Sequence, residues 1–125
     1  MNTPSSSHDH DTVARFLEQR ATLDFNRAPI FYNDLACKLD FPAVDQYWMS
    51  HPFCGIFDQL DREDVSAGRP LRTALVVSKD RGLPGDGFFK TMALLRGNTK
   101  PATKDTEQMR LWTEELQRLV AHYKL

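Results

Sequence analysis

The segment "RPLRTALVVSKDRGLPGDGFF", residues 69–89, restricts the possible folds of this chain more than any other stretch. Leu71–Ser78 is rich in Val, Leu and Thr and contains no glycine or proline, which favours a β-strand. The glycines and the proline of the following "KDRGLPGDG" are typical of tight turns. Phe88–Leu95 then has apolar residues at helical spacing. The sequence therefore predicts a strand, a glycine-rich loop and a helical return into the core.

Before this segment, apolar residues recur at helical spacing in three stretches, and a short extended piece separates the first two. A proline favours the extended piece because it holds its predecessor out of the helical region, and a second proline suits the first turn of the third helix. The predicted helices are Asp11 or Thr12 to Leu23, Tyr32–Leu39 and Pro52–Glu63, with the extended piece at Ile30–Phe31.

The C-terminal stretch predicts a long amphipathic helix from Thr106 to Tyr123. Asp105 is placed to cap it, and Gln108 completes the spacing of a capping box. Six apolar residues fall on one face of this helix: Met109, Trp112, Leu116, Leu119, Val120 and Tyr123.

The order helix, short strand, helix, helix, strand, glycine-rich loop is that of a winged helix-turn-helix. We therefore predict an α+β fold, a single winged-helix-like domain over residues 11–125, with the C-terminal amphipathic helix appended and the glycine-rich loop as its wing. Residues 1–10 are small and polar, and we predict a disordered tail there.

Composition excludes several function classes. The formal net charge of the 125 residues is −1, so no global positive field attracts nucleic acid or acidic lipid. No apolar run approaches the roughly 20 residues of a membrane-spanning helix, and the N-terminus lacks the pattern of a secretory signal. Two cysteines are too few for a disulfide framework, which favours a reducing, cytoplasmic location.

Three phrases, "FYNDLACKLDF", "RPLRTALVVSKDRGLPGDGFF" and "LWTEELQRLVAHY", resemble a group of small bacterial and phage proteins. That group carries a "tYxxLA" segment, an "RPLLSALVVxKxxGxPGxGFF" phrase and a closing "FWxxELxxVxxYW"-like helix, and the resemblance covers about residues 28–123. No activity is implied by it. The layout is also distantly similar to the winged-helix domain of DNA alkylguanine alkyltransferases. Their Pro-Cys-His-Arg motif is replaced here by "RPLRT", so the nucleophile is missing.

The residues that usually carry catalysis have simpler structural interpretations in this sequence. Cys37 and Cys54 follow apolar neighbours on predicted helices and are expected to be small core residues. His51, before Pro52, is expected to make a structural hydrogen bond in a turn. The histidines of the N-terminal tail have no further ligand beside them. We therefore expect a non-enzymatic protein without a cofactor or a bound metal.

Positive charge is concentrated around the glycine-rich loop, because residues 62–96 hold seven Lys or Arg and four Asp or Glu, a balance of +3. The first hypothesis is therefore a nucleic-acid-associated module whose basic wing contacts DNA phosphates weakly and in a salt-sensitive way. The residues expected to make these contacts are Arg69, Arg72, Lys79, Arg81 and Lys90. The hypothesis weakens if these cations are instead paired with nearby acidic side chains.

The alternative hypothesis is a protein-binding module, such as an inhibitor or an immunity-like protein. The third helix carries carboxylates, which repel phosphates, and aromatic residues beside it are typical of protein interfaces. The residues expected to form this surface are Tyr47, Trp48, Asp58, Asp61 and Glu63. A third option is an unrecognised catalytic site around His51 and these carboxylates.

Overall fold

The computed structural model describes residues 7–44, 48–95, 97 and 100–124. These form a small, mostly helical domain with a two-stranded parallel sheet. In chain order the helices and strands are α1 (Ser7–Arg20), β1 (Ile30–Phe31), α2 (Tyr32–Lys38), a 3₁₀ turn (Trp48–Ser50), α3 (Pro52–Ala67), a second 3₁₀ turn (Arg72–Leu75), β2 (Val76–Val77), α4 (Asp86–Leu95) and α5 (Asp105–Tyr123). None of the helices described is long and apolar enough to cross a membrane.

Helix α1 begins at Ser7 and ends at Arg20, so both ends differ from the prediction. Residues 7–10, for which we predict a disordered tail, are helical. At the other end the Arg20 side chain turns back and donates hydrogen bonds to the carbonyl oxygens of Arg27, Ala28 and Pro29, at 3.1, 2.8 and 3.2 Å. These bonds hold the connection to β1 against the end of the helix.

Of the strand predicted over residues 71–78, only Val76–Val77 pairs with another strand. The preceding residues form a buried 3₁₀ turn because carboxylates take the backbone N–H groups that a sheet would use. The N–H of Leu71 donates to Glu115 at 2.6 Å, and the N–H of Arg72 donates to Asp64 at 2.9 Å. Tertiary contacts therefore override the local β-propensity of this segment.

The winged-helix arrangement is not confirmed. The two strands pair in parallel, Ile30 with Val76 and Phe31 with Val77, whereas a wing is an antiparallel hairpin. The glycine-rich loop closes on itself: the N–H of Gly82 donates to the Ser78 carbonyl, and the N–H of Ser78 donates to that of Leu83, both at 2.8 Å. The chain then enters α4. The loop therefore connects a strand to a helix.

Helix α3 starts at Pro52, as predicted, and extends to Ala67, beyond the predicted end. His51 caps it: its Nδ1 accepts a hydrogen bond from the N–H of Phe53 at 3.0 Å. Its Nε2 therefore carries the proton and donates to the carbonyl of Pro42 at 2.6 Å. The structural role expected for His51 is confirmed. Gly68, at φ 72°, ends the helix in the left-handed conformation that glycine adopts without strain.

Helix α5 is present almost as predicted, but its capping is not. Lys104 occupies the cap position without a side-chain cap, and Asp105 is the first helical residue. The Gln108 side chain donates to the carbonyl of Ala102 at 2.8 Å, so it does not complete a capping box. Helices α1, α3 and α5 pack around the 3₁₀ turn Arg72–Leu75, which lies in the core of the domain.

Candidate functional site

A pocket of about 460 Å³ opens between α2, the first 3₁₀ turn, α3, α4 and the end of the glycine-rich loop. This volume lies within the range of small-molecule sites in proteins. Most of its wall is apolar, and its polar groups come from few side chains. The lining residues are Tyr32, Val44, Trp48, Cys54, Phe57, Asp58, Asp61, Thr73, Gly85, Gly87, Phe88 and Thr91.

Three aromatic side chains form the main wall of the pocket. The ring of Tyr32 lies 5.6 Å from that of Trp48, at an interplanar angle of 81°. Phe57 contacts both, at centroid distances of 6.1 Å from Tyr32 and 5.6 Å from Trp48. Because two of the planes are nearly perpendicular, the rings form a corner. His51 stacks on Trp48 with an interplanar angle of 3°, which supports that ring from the cap of α3.

Asp61 is the buried acid of this pocket, with 4% of its surface exposed. The hydroxyl of Thr73 donates a hydrogen bond to its Oδ1 at 2.6 Å, and no other described residue donates to this carboxyl. Burial, with a smaller contribution from the nearby carboxylates Asp64 and Asp58, raises the pKa of Asp61 to about 7, although Thr73 and Arg72 oppose the shift. The carboxyl therefore changes its charge near neutral pH.

The Tyr32 hydroxyl is held close to the glycine-rich loop. It accepts a hydrogen bond from the N–H of Gly85 at 3.2 Å. Burial raises the pKa of Tyr32, and the nearby Asp61 adds to the shift. The phenol therefore keeps its proton at neutral pH and contributes a second polar group to the pocket. A β-carbon at Gly85 would lie 3.8 Å from this hydroxyl, an ordinary contact, so this glycine is not required by space.

The five cations predicted to contact phosphates do not form one free surface. Arg72 is buried and its guanidinium is bound by Asp64 at 3.0 Å, Glu18 at 2.7 Å and Glu63 at 3.2 Å. Arg69 also pairs with Asp64 at 3.0 Å. Both arginines therefore hold α3 against the segment that follows it. Their pairing with α3 carboxylates is the outcome that weakens the nucleic-acid hypothesis.

The other three predicted contacts lie around the glycine-rich loop and α4. Arg81 pairs with Asp105 at 2.8 Å and also hydrogen-bonds Gln108, which ties the loop to the start of α5. Lys79 and Lys90 are exposed. The positive balance of this region is therefore largely offset by ion pairs within the domain.

The alternative set of predicted residues is only partly brought together. Trp48, Asp58 and Asp61 line the same pocket. Glu63 lies apart from them, because its side chain pairs with Arg72 and with His10. Tyr47 lies outside the described residues.

Sequence reasoning missed the pocket partners Tyr32, Phe57, Thr73 and Phe88 as site residues. One signal was available: Asp61 lies four residues after Phe57, on the apolar stripe of α3, where a solvated carboxylate is not expected. Cys54 lines the pocket and Cys37 is exposed, so the expectation that both are core residues is wrong. Among the described residues no group of three or more His, Cys, Asp or Glu could hold a metal ion.

A scan against protein-family models found no match, and searches of curated proteins and of solved structures likewise found none. A function for this chain must therefore be inferred from its own residues.

Proposed function

We propose that this protein is a binding module that holds a small organic ligand in the pocket around Asp61. One observation carries the proposal: a buried carboxyl with a single hydrogen-bond donor lies in the wall of an aromatic pocket large enough for a ligand. A few convergent polar groups, a perturbed pKa and apolar walls are the combination typical of ligand sites.

Ionised Asp61 lowers the free energy of unfolding, which supports a role in binding. A buried acid with one donor destabilises the native state whenever it is ionised, because water solvates the charge better. Asn in its place would preserve the shape and the hydrogen bond from Thr73 without that cost. A residue that lowers stability and lies in a pocket is a candidate for contact with a ligand.

A screen of small polar fragments by ¹H–¹⁵N NMR tests the proposal. We expect some fragments to shift the amide signals of pocket residues, and Thr91→Trp, which fills the pocket from α4, to abolish those shifts. Lys90→Trp is the matched control, since it places the same ring on the adjacent exposed position of α4. Thermal unfolding of both variants checks that they fold. Absence of binding, or binding unaffected by Thr91→Trp, would refute the proposal.

The protein-binding hypothesis is the second candidate, and one observation favours it. Met49 is 87% exposed and adjoins Trp48, so an apolar side chain lies next to the aromatic wall of the pocket. Methionine and aromatic residues are enriched in protein interfaces. Crosslinking from a photoreactive residue at position 49 tests it: a partner captured there, and lost in Thr91→Trp, would place the protein contact at the pocket.

The nucleic-acid hypothesis has weaker support. The net charge is −1, and Arg69, Arg72 and Arg81 are engaged with acidic side chains of the domain. Counterion release, the main source of affinity for DNA, requires cations that can approach phosphates. Lys79 and Lys90 remain exposed for such a contact.

A further inference from the structure

We propose that the ligand of this pocket carries an alkylammonium group, which pairs with the Asp61 carboxylate and lies against the rings of Tyr32 and Trp48. This inference rests on the proposed ligand-binding function and specifies the chemical class of the ligand.

Charge decides the class of ligand first. Among the described residues that line the pocket none is Lys, Arg or His, whereas two, Asp58 and Asp61, are acids. Arg72 is directed at Asp64, Glu18 and Glu63 and does not line the pocket. Arg62 pairs with Asp58 at 3.0 Å and does not line the pocket either, so Asp61 is the acid that a ligand would meet. An anionic ligand would therefore meet the like charge of the Asp61 carboxylate with no cation in the pocket lining, while a cation would meet opposite charge.

The aromatic wall distinguishes an organic cation from a hydrated metal ion. The faces of Trp and Tyr rings attract ammonium groups within about 6 Å of the ring centroid, and rings that meet at an angle can contact one group together. The rings of Tyr32 and Trp48, which meet at 81°, provide such a corner beside Asp61. Metal ions such as Mg²⁺ instead require several oxygen ligands, which these rings cannot supply.

The carboxyl of Asp61 also has an oxygen that can still accept an interaction with such a ligand. Thr73 donates to Oδ1, and no described residue donates to Oδ2. An apolar ligand would leave that oxygen buried without a partner, which costs free energy. A neutral alcohol would donate one hydrogen bond to this oxygen, but its affinity would not increase when the acid ionises.

Ligand charge is therefore coupled to the protonation of Asp61. The charged and titratable groups around this carboxyl are Asp58 and Asp64 of α3, Arg72 of the 3₁₀ turn and Tyr32 of α2. Because the pKa of Asp61 is about 7 without ligand, an ammonium group binds the ionised form and displaces the proton to solvent. Affinity for a cation should then rise with pH through this range.

Three probes of nearly the same shape and different charge test the proposal by NMR titration: choline, 3,3-dimethyl-1-butanol and 3,3-dimethylbutanoate. Choline has no titratable ammonium proton, so any pH dependence of its binding reports on the protein. We expect choline to bind about tenfold more tightly than the alcohol at pH 8, and the anion not to bind. We expect the affinity for choline to be about tenfold lower at pH 6 than at pH 8.

Two variants locate the charge. Asp61→Asn should reduce choline binding to the level of the alcohol and remove the pH dependence, while Asp24→Asn, at an exposed position outside the pocket and paired with Arg27, should leave both nearly unchanged. Equal binding of choline and the alcohol, or binding of neither while other fragments bind in the pocket, would overturn the ammonium proposal and leave the ligand-binding function standing. If no fragment of any charge binds, the ligand-binding function itself fails.

Discussion

Helix α3 presents two buried acids, Asp61 and Asp64, which have different hydrogen-bond partners. Asp64 is 0% exposed and binds the guanidinium groups of Arg69 and Arg72 as well as the backbone N–H of Arg72. Asp61, 4% exposed, receives one hydrogen bond from a hydroxyl and lines a pocket. Burial alone therefore does not distinguish a structural acid from a candidate binding acid, and the partners of each carboxylate do.

The two acids also serve different parts of the molecule. Asp64, with Glu18 and Glu63, surrounds Arg72 and joins α1, α3 and the 3₁₀ turn. We call this the Arg72 network. On the pocket side of α3 the described residues form no buried ion pair: Asp61 accepts a hydrogen bond from Thr73, and Phe57 packs against Tyr32 and Trp48. A protein can lose a binding acid and remain folded, whereas loss of one member of a buried ion-pair network leaves charges unpaired.

The largest expected effect comes from Arg72→Met, which leaves the buried Asp64 with Arg69 and one backbone N–H as its partners. Removing one partner of a buried ion pair typically costs about 3–5 kcal/mol of unfolding free energy, and we expect a loss of that size here. Chemical denaturation followed by circular dichroism measures it. Arg62→Met is the matched control, because Arg62 pairs with Asp58 at the surface of the same helix and should cost less than about 0.5 kcal/mol. Equal losses in the two variants would remove the distinction between the Arg72 network and a surface pair.

The second prediction concerns pH and Asp61. Folding raises the pKa of Asp61 from 3.8 to about 7. Between these two pH values the native state therefore keeps a proton that the unfolded state has already released. Stability from this group is complete below the unfolded pKa and is lost as the pH rises through the folded pKa. Between pH 5 and pH 8 we expect it to lower the unfolding free energy by about 2.5 kcal/mol.

Asp61→Asn isolates this contribution, because the difference in unfolding free energy between the variant and the wild type removes the titration of all other groups. We expect the variant to become more stable than the wild type as the pH increases from 5 to 8. Chemical denaturation of both proteins at pH 5 and at pH 8 measures this difference. A pH-independent difference would mean that Asp61 ionises as an ordinary solvated acid.

A smaller effect is expected for Tyr32→Phe, which removes the hydroxyl that accepts from the N–H of Gly85. Loss of one such hydrogen bond costs about 1 kcal/mol of unfolding free energy. Tyr123→Phe is the control, since the Tyr123 hydroxyl makes no hydrogen bond to the described residues. Urea denaturation of both variants compares them. If Tyr32→Phe costs no more than its control, the glycine-rich loop is not held to the pocket by this contact.

Some of this architecture could be predicted from the sequence, because part of it depends on local periodicity. Pro52 and the apolar stripe that follows it determine where α3 begins, and the apolar face of residues 106–123 predicts α5. The 3₁₀ turn Arg72–Leu75 could not be predicted in this way. Glu115 binds the backbone N–H of Leu71, immediately before the turn and 44 residues away in the chain, and local propensity carries no information on such a partner.

The pocket shows the same limit. The sequence predicts Trp48, Asp58 and Asp61 as one surface because they are close in the chain. Tyr32 and Phe88 join them only through tertiary packing, and the assignment of Arg72 to a DNA contact failed for the same reason. An arginine in a basic segment resembles a phosphate ligand until its carboxylate partners, Glu18 among them, are brought beside it by folding.

The smallest expected effect concerns Arg81, which contrasts with Arg72 nine residues before it. Its ion pair with Asp105 is exposed, so Lys79→Glu/Arg81→Glu should change the unfolding free energy by no more than about 1 kcal/mol.

The same variant tests the nucleic-acid hypothesis through titration of labelled duplex and single-stranded DNA at two salt concentrations. We expect no binding that depends on these two residues, because one of them is already paired within the domain. Salt-sensitive binding by the wild type that disappears in the variant would instead show that the exposed cations of the glycine-rich loop contact phosphates. The pocket around Asp61 would then be a second site, and choline binding in the variant would show whether the two are independent.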